Sequence, residues 1–322
     1  MSAWEQDPLL EGHVSQTIPL PDEPTYAFEP EGSLVATLIR RGDRHHTRAV
    51  LYIHGWSDYF FQAHLGDAMA SMGRDFYAID LRRYGRSLKH GQLAGYVPSL
   101  EHYFVELDEA VARIRAEGHE HLELMGHSTG GLVASLYAAA RPGTFSAVIL
   151  NAPWIEWQGS SLARPAMHPL MRAVSAVAPT TPLPSADNGF YRRSISLDED
   201  GEWEYDTHLK GDPAFRVRIG WLEAVLAGQA RVAAGLAIDA PILVLTSAKS
   251  TVNLVGGKWS DDHLASDIVL DVNRIAERAP FLGARVVLIR LEGALHDVML
   301  SGLAIREQAV AEIERFLAAY AD

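Results

Sequence analysis

The chain has 322 residues, 48% hydrophobic and 21% charged, which suits one large domain with an insertion and a core that needs no disulfide or metal staple. Its 28 Lys and Arg against 41 Asp and Glu leave a net charge of −13, a field that repels phosphate backbones and argues against a nucleic-acid partner. The absence of cysteine excludes disulfides, thiolate metal sites and a cysteine nucleophile.

The first 30 residues are rich in Pro, Glu and Asp and read as an arm or a loose first strand. Glu5 and Asp7 without a basic cluster do not fit a signal peptide, and no uncharged apolar run reaches the roughly 18 residues of a membrane span. The expectation is a soluble, cytoplasmic protein with no integral membrane segment. Residues 33–40 pattern as a strand. Ala49 to Ile53 is a short apolar run of the kind found in buried parallel strands. Phe60 to Met72 reads as a helix, Asp75 to Ile79 as a strand, and Ser99 to Glu117 as an amphipathic helix that Ser99 opens. Leu122 to Met125 is the next strand, Leu132 to Ala140 an apolar helix, and Ala147 to Leu150 a fourth buried strand.

The strand–helix beat then stops. Residues 154–237 carry long polar stretches, several prolines and many aromatics, and read as an inserted cap. The beat resumes at Pro241 to Leu245, with a helix at Asp271 to Ala279, a strand at Arg285 to Ile289 and a closing helix from Ile305 to Tyr320. Such alternation predicts an α/β fold: a mostly parallel sheet with helices on both faces. The core is then residues 1–153 and 238–322, with the cap at 154–237.

Gly126-His127-Ser128-Thr129-Gly130 fits G-x-S-x-G directly between a buried-strand pattern and an apolar helix. That context suits a nucleophilic serine on a strained turn, with glycines removing side chains that would collide across it. The helix that follows offers free N–H groups and a positive dipole end. Acyl transfer also needs two N–H donors aimed at the developing oxyanion. Thr129 is one candidate. Trp56, in Tyr52-Ile53-His54-Gly55-Trp56-Ser57-Asp58, is the other, with Gly55 allowing close backbone approach.

His54-Gly55-Trp56, the Ser128 pentapeptide and Leu295-His296-Asp297 together resemble the α/β-hydrolase superfamily. Within it they resemble the monoacylglycerol-lipase, lysophospholipase and serine-aminopeptidase-like branch. Asp80-Leu81-Arg82-Arg83-Tyr84-Gly85-Arg86-Ser87 is similar to that branch's D-x-R-G-x-G-x-S stretch, with Arg83-Tyr84 where the family tends to have glycine and a small or polar residue. The resemblance covers about Ser33 to Ala319 outside the insertion. It implies the fold, a cap and ester or amide hydrolysis.

The superfamily's order is serine, acid, histidine, which points to His296 just after the last strand as the base. The acid is displaced. After the strand ending at Leu245, where the family usually has Asp, this chain has Ser247-Ala248-Lys249-Ser250. Asp267, in Ser266-Asp267-Ile268-Val269-Leu270-Asp271, resembles the family's acid loop and stands 29 residues before His296. It is taken first, Asp271 second, with Asp262 and Glu156 behind, and Thr251 to Ser266 reads as an extra loop before the acid. His127 is read as packing; His45, His46, His119 and His121 read as solvated loops. No metal and no cofactor is implied.

In the insertion, Trp154, Trp157, Phe190, Tyr191, Trp203, Tyr205, Phe215 and Trp221 are candidates either for a pocket lining or for the cap's own core. Met167, Leu170 and Met171 are similarly ambiguous, and Val298-Met299-Leu300 adjoin His296. The expected substrate is a small carboxylic ester with an apolar part. An amidase or aminopeptidase, or a non-catalytic binding homologue, are the rivals. Haloalkane dehalogenase and epoxide hydrolase chemistry fit less well, because those relatives carry Asp where this chain has Ser128.

Overall fold

The computed structural model describes residues 3–26, 28–158, 164–185, 187–252 and 257–321. The elements in order are β1 (Glu5–Gln6), β2 (His13–Pro19), β3 (Val35–Arg41), β4 (Arg48–Ile53), α1 (Ala63–Ser71), β5 (Arg74–Asp80), α2 (Tyr103–Ala116), β6 (His121–His127), α3 (Thr129–Ala140) and β7 (Ala147–Asn151). Four helices follow: α4 (Arg164–Ser175), α5 (Phe190–Ile195), α6 (Thr207–Lys210) and α7 (Ile219–Ala234). The chain closes with β8 (Ile242–Ser247), α8 (Val272–Arg278), β9 (Val286–Leu291) and α9 (Leu303–Tyr320).

Among the described residues, nine strands form one sheet in the order β1-β2-β3-β5-β4-β6-β7-β8-β9. The first three strands and the β3–β5 pair are antiparallel; β5 through β9 are parallel. Side chains alternate across the sheet, as the period of two requires. Ala49, Leu51 and Ile53 of β4 pack with α2, α3 and α8, while Val50 and Tyr52 pack with α1 and α9. Helices therefore cover both faces, and the central strands read as continuous apolar runs because neither face meets water.

The acidic N-terminal segment is not loose. β2 pairs with β3 along its whole length, and three arginines of the Asp80–Ser87 stretch each hold one of its carboxylates. Arg86 donates to both oxygens of Asp7, Arg82 to Glu23 and Arg83 to both oxygens of Glu29. Arg83 adopts φ 64° in place of the family's glycine. The left-handed backbone costs about 1 kcal/mol, and the Arg83 side chain is held in a buried pair with Glu29.

The helix expected over Phe60 to Met72 begins only at Ala63. Side chains take the preceding amides instead: Asp80 Oδ1 accepts from Phe60 N–H and Gln62 Oε1 from Phe61 N–H. His119 is buried rather than solvated, since Tyr77 reaches it with its hydroxyl at 2.9 Å. Among the described residues, no helix is long and apolar enough to cross a membrane.

Candidate active site

The turn between β6 and α3 is built by close backbone approach. Ser128 has φ 51° and ψ −116°, a strained conformation for a residue with a Cβ. Its carbonyl accepts from the N–H groups of Gly131, Leu132 and Trp154, and its own N–H donates to Asn151 O. A Cβ on Gly126 would stand 2.5 Å from Gly130 O, and one on Gly130 would stand 2.2 Å from His54 O. Both flanking glycines are thus required: one lets the turn close on itself, the other brings the N-terminus of α3 against the end of β4. Ser128 and Thr129 face a shared pocket with Trp56.

His296 follows β9 through a turn at Gly293, which has φ 74°. Its Nε2 lies 3.0 Å from Ser128 Oγ, and its Nδ1 lies 2.9 Å from Asp267 Oδ2. A carboxylate only accepts, so Nδ1 carries the proton and Nε2 is left to accept from the serine hydroxyl. Asp267 is fully buried. Its Oδ1 accepts from the N–H groups of Val269 and Leu270. Its backbone bridges to the end of β8: Asp267 N–H donates to Lys249 O, and Thr251 N–H to Asp267 O.

Three residues weighed as acids are engaged elsewhere. Asp271 caps α8 by accepting from Asn273 N–H. Asp262 pairs with Lys249 at the surface, and Glu156 pairs with Arg278.

Beneath His296 lies a second polar layer that the sequence did not flag. Asn151, at the end of β7, donates to Asp297 Oδ1 and accepts from Val298 N–H. Asp297 Oδ1 also accepts from Met299 N–H, and its Oδ2 from Gln62. The His296 loop is thereby tied to the sheet. His127 packs under it, its ring 4.9 Å from that of His296, with Nδ1 donating to Asn151 O. Burial holds the His127 pKa below its usual value, which favours the neutral ring.

The loop after β4 contains a feature that only the fold reveals. Asp58, buried, receives a hydrogen bond from Lys210 Nζ of α6, 152 residues away. Burial alone would raise the Asp58 pKa, but the charge and hydrogen bond of Lys210 hold it below its ordinary value. Asp58 Oδ2 in turn accepts from Gly55 N–H.

The pocket above Ser128 has a volume of about 550 Å³. Trp154, Trp157, Phe190, Tyr191, Tyr205, Phe215 and Trp221 line it, together with Ile268, Val269 and Leu270 beside Asp267. Trp203 does not: its Nε1 donates to Leu300 O and its ring packs against His64 at 4.4 Å between centroids, tilted by 31°. Val298, Met299 and Leu300 are buried away from the pocket. The side chains of Met167 and Leu170 lie outside the described residues. Among the described residues, no group of three or more His, Asp or Glu side chains is arranged to hold a metal ion.

Comparison with known proteins agrees with this architecture. The family model described as Serine aminopeptidase, S33 (Hydrolase_4) matches residues 44–299. A monoacylglycerol lipase of Mycolicibacterium smegmatis is 29% identical over 234 residues, covering 68% of this chain and 76% of that protein. Among solved structures, the monoacylglycerol lipase of Paleococcus ferrophilus superposes with a TM-score of 0.61 at 19% identity, covering 84% of this chain and 94% of its own. A soluble variant of the Saccharomyces cerevisiae monoglyceride lipase, solved with a substrate analogue, superposes at 0.62 and 13%, covering 89% and 93%. The chain has the α/β-hydrolase fold and belongs to the serine aminopeptidase S33 family, in the branch that includes the monoacylglycerol lipases.

Proposed function

We propose that this protein hydrolyses carboxylic esters with an apolar acyl or alkyl part, such as a monoacylglycerol, a lysolipid or a simple carboxylester, through an acyl-enzyme on Ser128. The observation that carries the reading is the 3.0 Å contact between Ser128 Oγ and His296 Nε2 at the floor of an aromatic pocket. His296 takes the hydroxyl proton as Ser128 Oγ attacks the ester carbonyl. The tetrahedral oxyanion is met by the N–H groups of Trp56 and Thr129. Collapse expels the alcohol, which leaves with the proton from His296. Water then repeats the sequence on the acyl-enzyme: His296 accepts its proton, the carboxylic acid departs and Ser128 Oγ is reprotonated. Asp267 holds the imidazole tautomer and balances its charge when protonated. No cofactor or metal enters these steps.

Residues 154–237 act as the cap in this reading, over a core of 1–153 and 238–322. A cytoplasmic setting remains an expectation from composition alone.

An aminopeptidase of the same fold would need a carboxylate for the substrate ammonium. Two of the pocket's described acids are paired with cations, Asp58 with Lys210 and Asp212 with Arg192, while Asp187 accepts from the N–H groups of Gly189 and Ala214 and keeps its charge. Ester and aminoacyl substrates are therefore separated by turnover. A binding-only homologue would have no need of the Asp267–His296–Ser128 contacts.

The test is a chain-length series of p-nitrophenyl esters beside aminoacyl anilides, with Ser128→Ala as control. We expect kcat/KM to rise by up to roughly fourfold per added methylene until the pocket is full, from about 0.8 kcal/mol per buried CH₂. Anilides should be turned over far more slowly, and a fluorophosphonate should label Ser128. An unlabelled Ser128 with no ester turnover would replace this reading with the binding one.

A further inference from the structure

The loop that supplies the Trp56 N–H is gripped, residue by residue, by one segment of the insertion. The Trp56 ring packs on Trp221 at 3.7 Å between centroids and on Phe215 at 6.2 Å. Ser57, at φ 51°, donates its hydroxyl to Lys210 O and accepts from Phe215 N–H. Asp58 takes the Lys210 ammonium. The Tyr59 hydroxyl accepts from Asp206 N–H. The approach is tight enough that a Cβ on Gly211 would stand 2.4 Å from Ser57 Oγ.

Lys210 is the centre of this grip. Its ammonium is enclosed by the rings of Phe61, Tyr191 and Tyr205, at 5.0, 5.9 and 5.7 Å. Its side chain is 9% exposed, and that of Asp58 is 2% exposed. A buried charge pair with a backbone anchor at each end has one low-energy arrangement, because separating the charges leaves both uncompensated. At one end, Asp58 Oδ2 accepts from Gly55 N–H, the amide just before Trp56. At the other, Lys210 O accepts from Ser57.

We propose that Lys210 is a positioning residue for the oxyanion-binding loop: its ion pair with Asp58 sets the direction of the Trp56 N–H, so residues 206–215 are a fixed part of the catalytic frame rather than a swinging lid. The proposal rests on the ester-hydrolase reading above. It follows that this edge of the insertion stays down during turnover. An oxyanion donor misaimed by a fraction of an ångström loses transition-state stabilisation while substrate binding in the aromatic pocket is retained.

The test compares wild type with Lys210→Met, Lys210→Arg and Ser57→Ala on one p-nitrophenyl ester. It also measures inhibition by an alkyl trifluoromethyl ketone, whose hemiketal oxyanion mimics the tetrahedral intermediate. For Lys210→Met, kcat should fall between about tenfold and hundredfold with KM within about twofold, and ketone affinity should fall in step with kcat/KM. Lys210→Arg should recover most of the loss. Ser57→Ala, which leaves the charge pair in place but removes the hydroxyl's bonds to Lys210 O and from Phe215 N–H, should show the same kcat-selective pattern more weakly. It also keeps the test open should Lys210→Met fold poorly. Normal kcat and ketone affinity in Ser57→Ala and in folded Lys210→Met, beside an active wild type, would overturn the positioning role alone. A wild type that neither turns over esters nor accepts a fluorophosphonate would remove the functional reading and this inference together.

Discussion

Asp267 meets His296 through one oxygen only. Oδ2 receives Nδ1–H at 2.9 Å, while Oδ1 is held by the N–H groups of Val269 and Leu270 at 2.8 and 2.7 Å. In Asp267→Asn the amide oxygen keeps the backbone bonds and turns its NH₂ towards the imidazole. Two donors then face each other unless the ring changes tautomer and presents Nε2–H to Ser128. We expect kcat to fall at least about a hundredfold with an unchanged unfolding midpoint. Steady-state kinetics beside thermal melting measures this, and near-normal turnover would remove Asp267 from the mechanism.

Gly130 is where α3 touches the end of β4, with a would-be Cβ only 2.2 Å from His54 O. The obstructing atom is backbone and has no rotamer to change. Gly130→Ala should cost more than about 3 kcal/mol, beyond ordinary overpacking, and should slow turnover by shifting the Thr129 N–H. Urea unfolding and kcat on the same preparation test both effects; a midpoint like wild type would show that the backbone yields easily.

The Arg83–Glu29 pair, 1% and 0% exposed at the side chains, invites a double-mutant cycle. Glu29→Gln should cost about 3 kcal/mol, because it leaves a buried guanidinium without its charge partner. Arg83→Gly relieves about 1 kcal/mol of left-handed strain but strands Glu29, for a net loss of about 2 kcal/mol. The double variant should lose less than the sum by at least about 1 kcal/mol; additivity within about 0.5 kcal/mol would show that the pair is not coupled.

Acid should loosen the same region. Burial would raise the pKa values of Asp7, Glu23 and Glu29. The opposing hydrogen bonds and charges, from Arg86 for Asp7, from His102 and Arg82 for Glu23 and from Arg83 for Glu29, more than offset it and leave all three below their ordinary values of 3.8, 4.5 and 4.5. Depressed carboxylates bind protons more readily in the unfolded chain. Their stabilisation is therefore complete above about pH 4.5 and drains away as pH falls through the lower folded values. The urea midpoint should drop between pH 5 and pH 3, and less steeply in Glu29→Gln. A midpoint unchanged across that interval would contradict the linkage.

Much of the scaffold was legible because parallel strands buried on both faces write themselves as short apolar runs, as in Ala49–Ile53 and Ala147–Leu150. The proximity of Ser128 and His296 was legible for a related reason: Ser128 directly follows such a run and His296 follows the turn after the last strand, so the sheet carries both to one edge. What stayed hidden depends on partners remote in sequence. Nothing around Lys210 announces Asp58, and a lysine in a polar stretch reads as solvated. His119, flanked by Gly118 and Glu120, likewise resembles a surface loop until Tyr77 covers it. The N-terminal segment looked loose because its acids and prolines carry no apolar period, whereas its anchors are the arginines at 82, 83 and 86.

The bridge that fastens Asp267 to Lys249 and Thr251 separates two design variables. Thr251 and Asp267, on either side of residues 252–266, are bonded to each other directly, so the carboxylate is held to the end of β8 by bonds of its own. Val252 and His263, which belong to that stretch, line the pocket wall. The shape of the pocket wall and the anchoring of the proton-handling carboxylate thus rest on different residues of neighbouring chain.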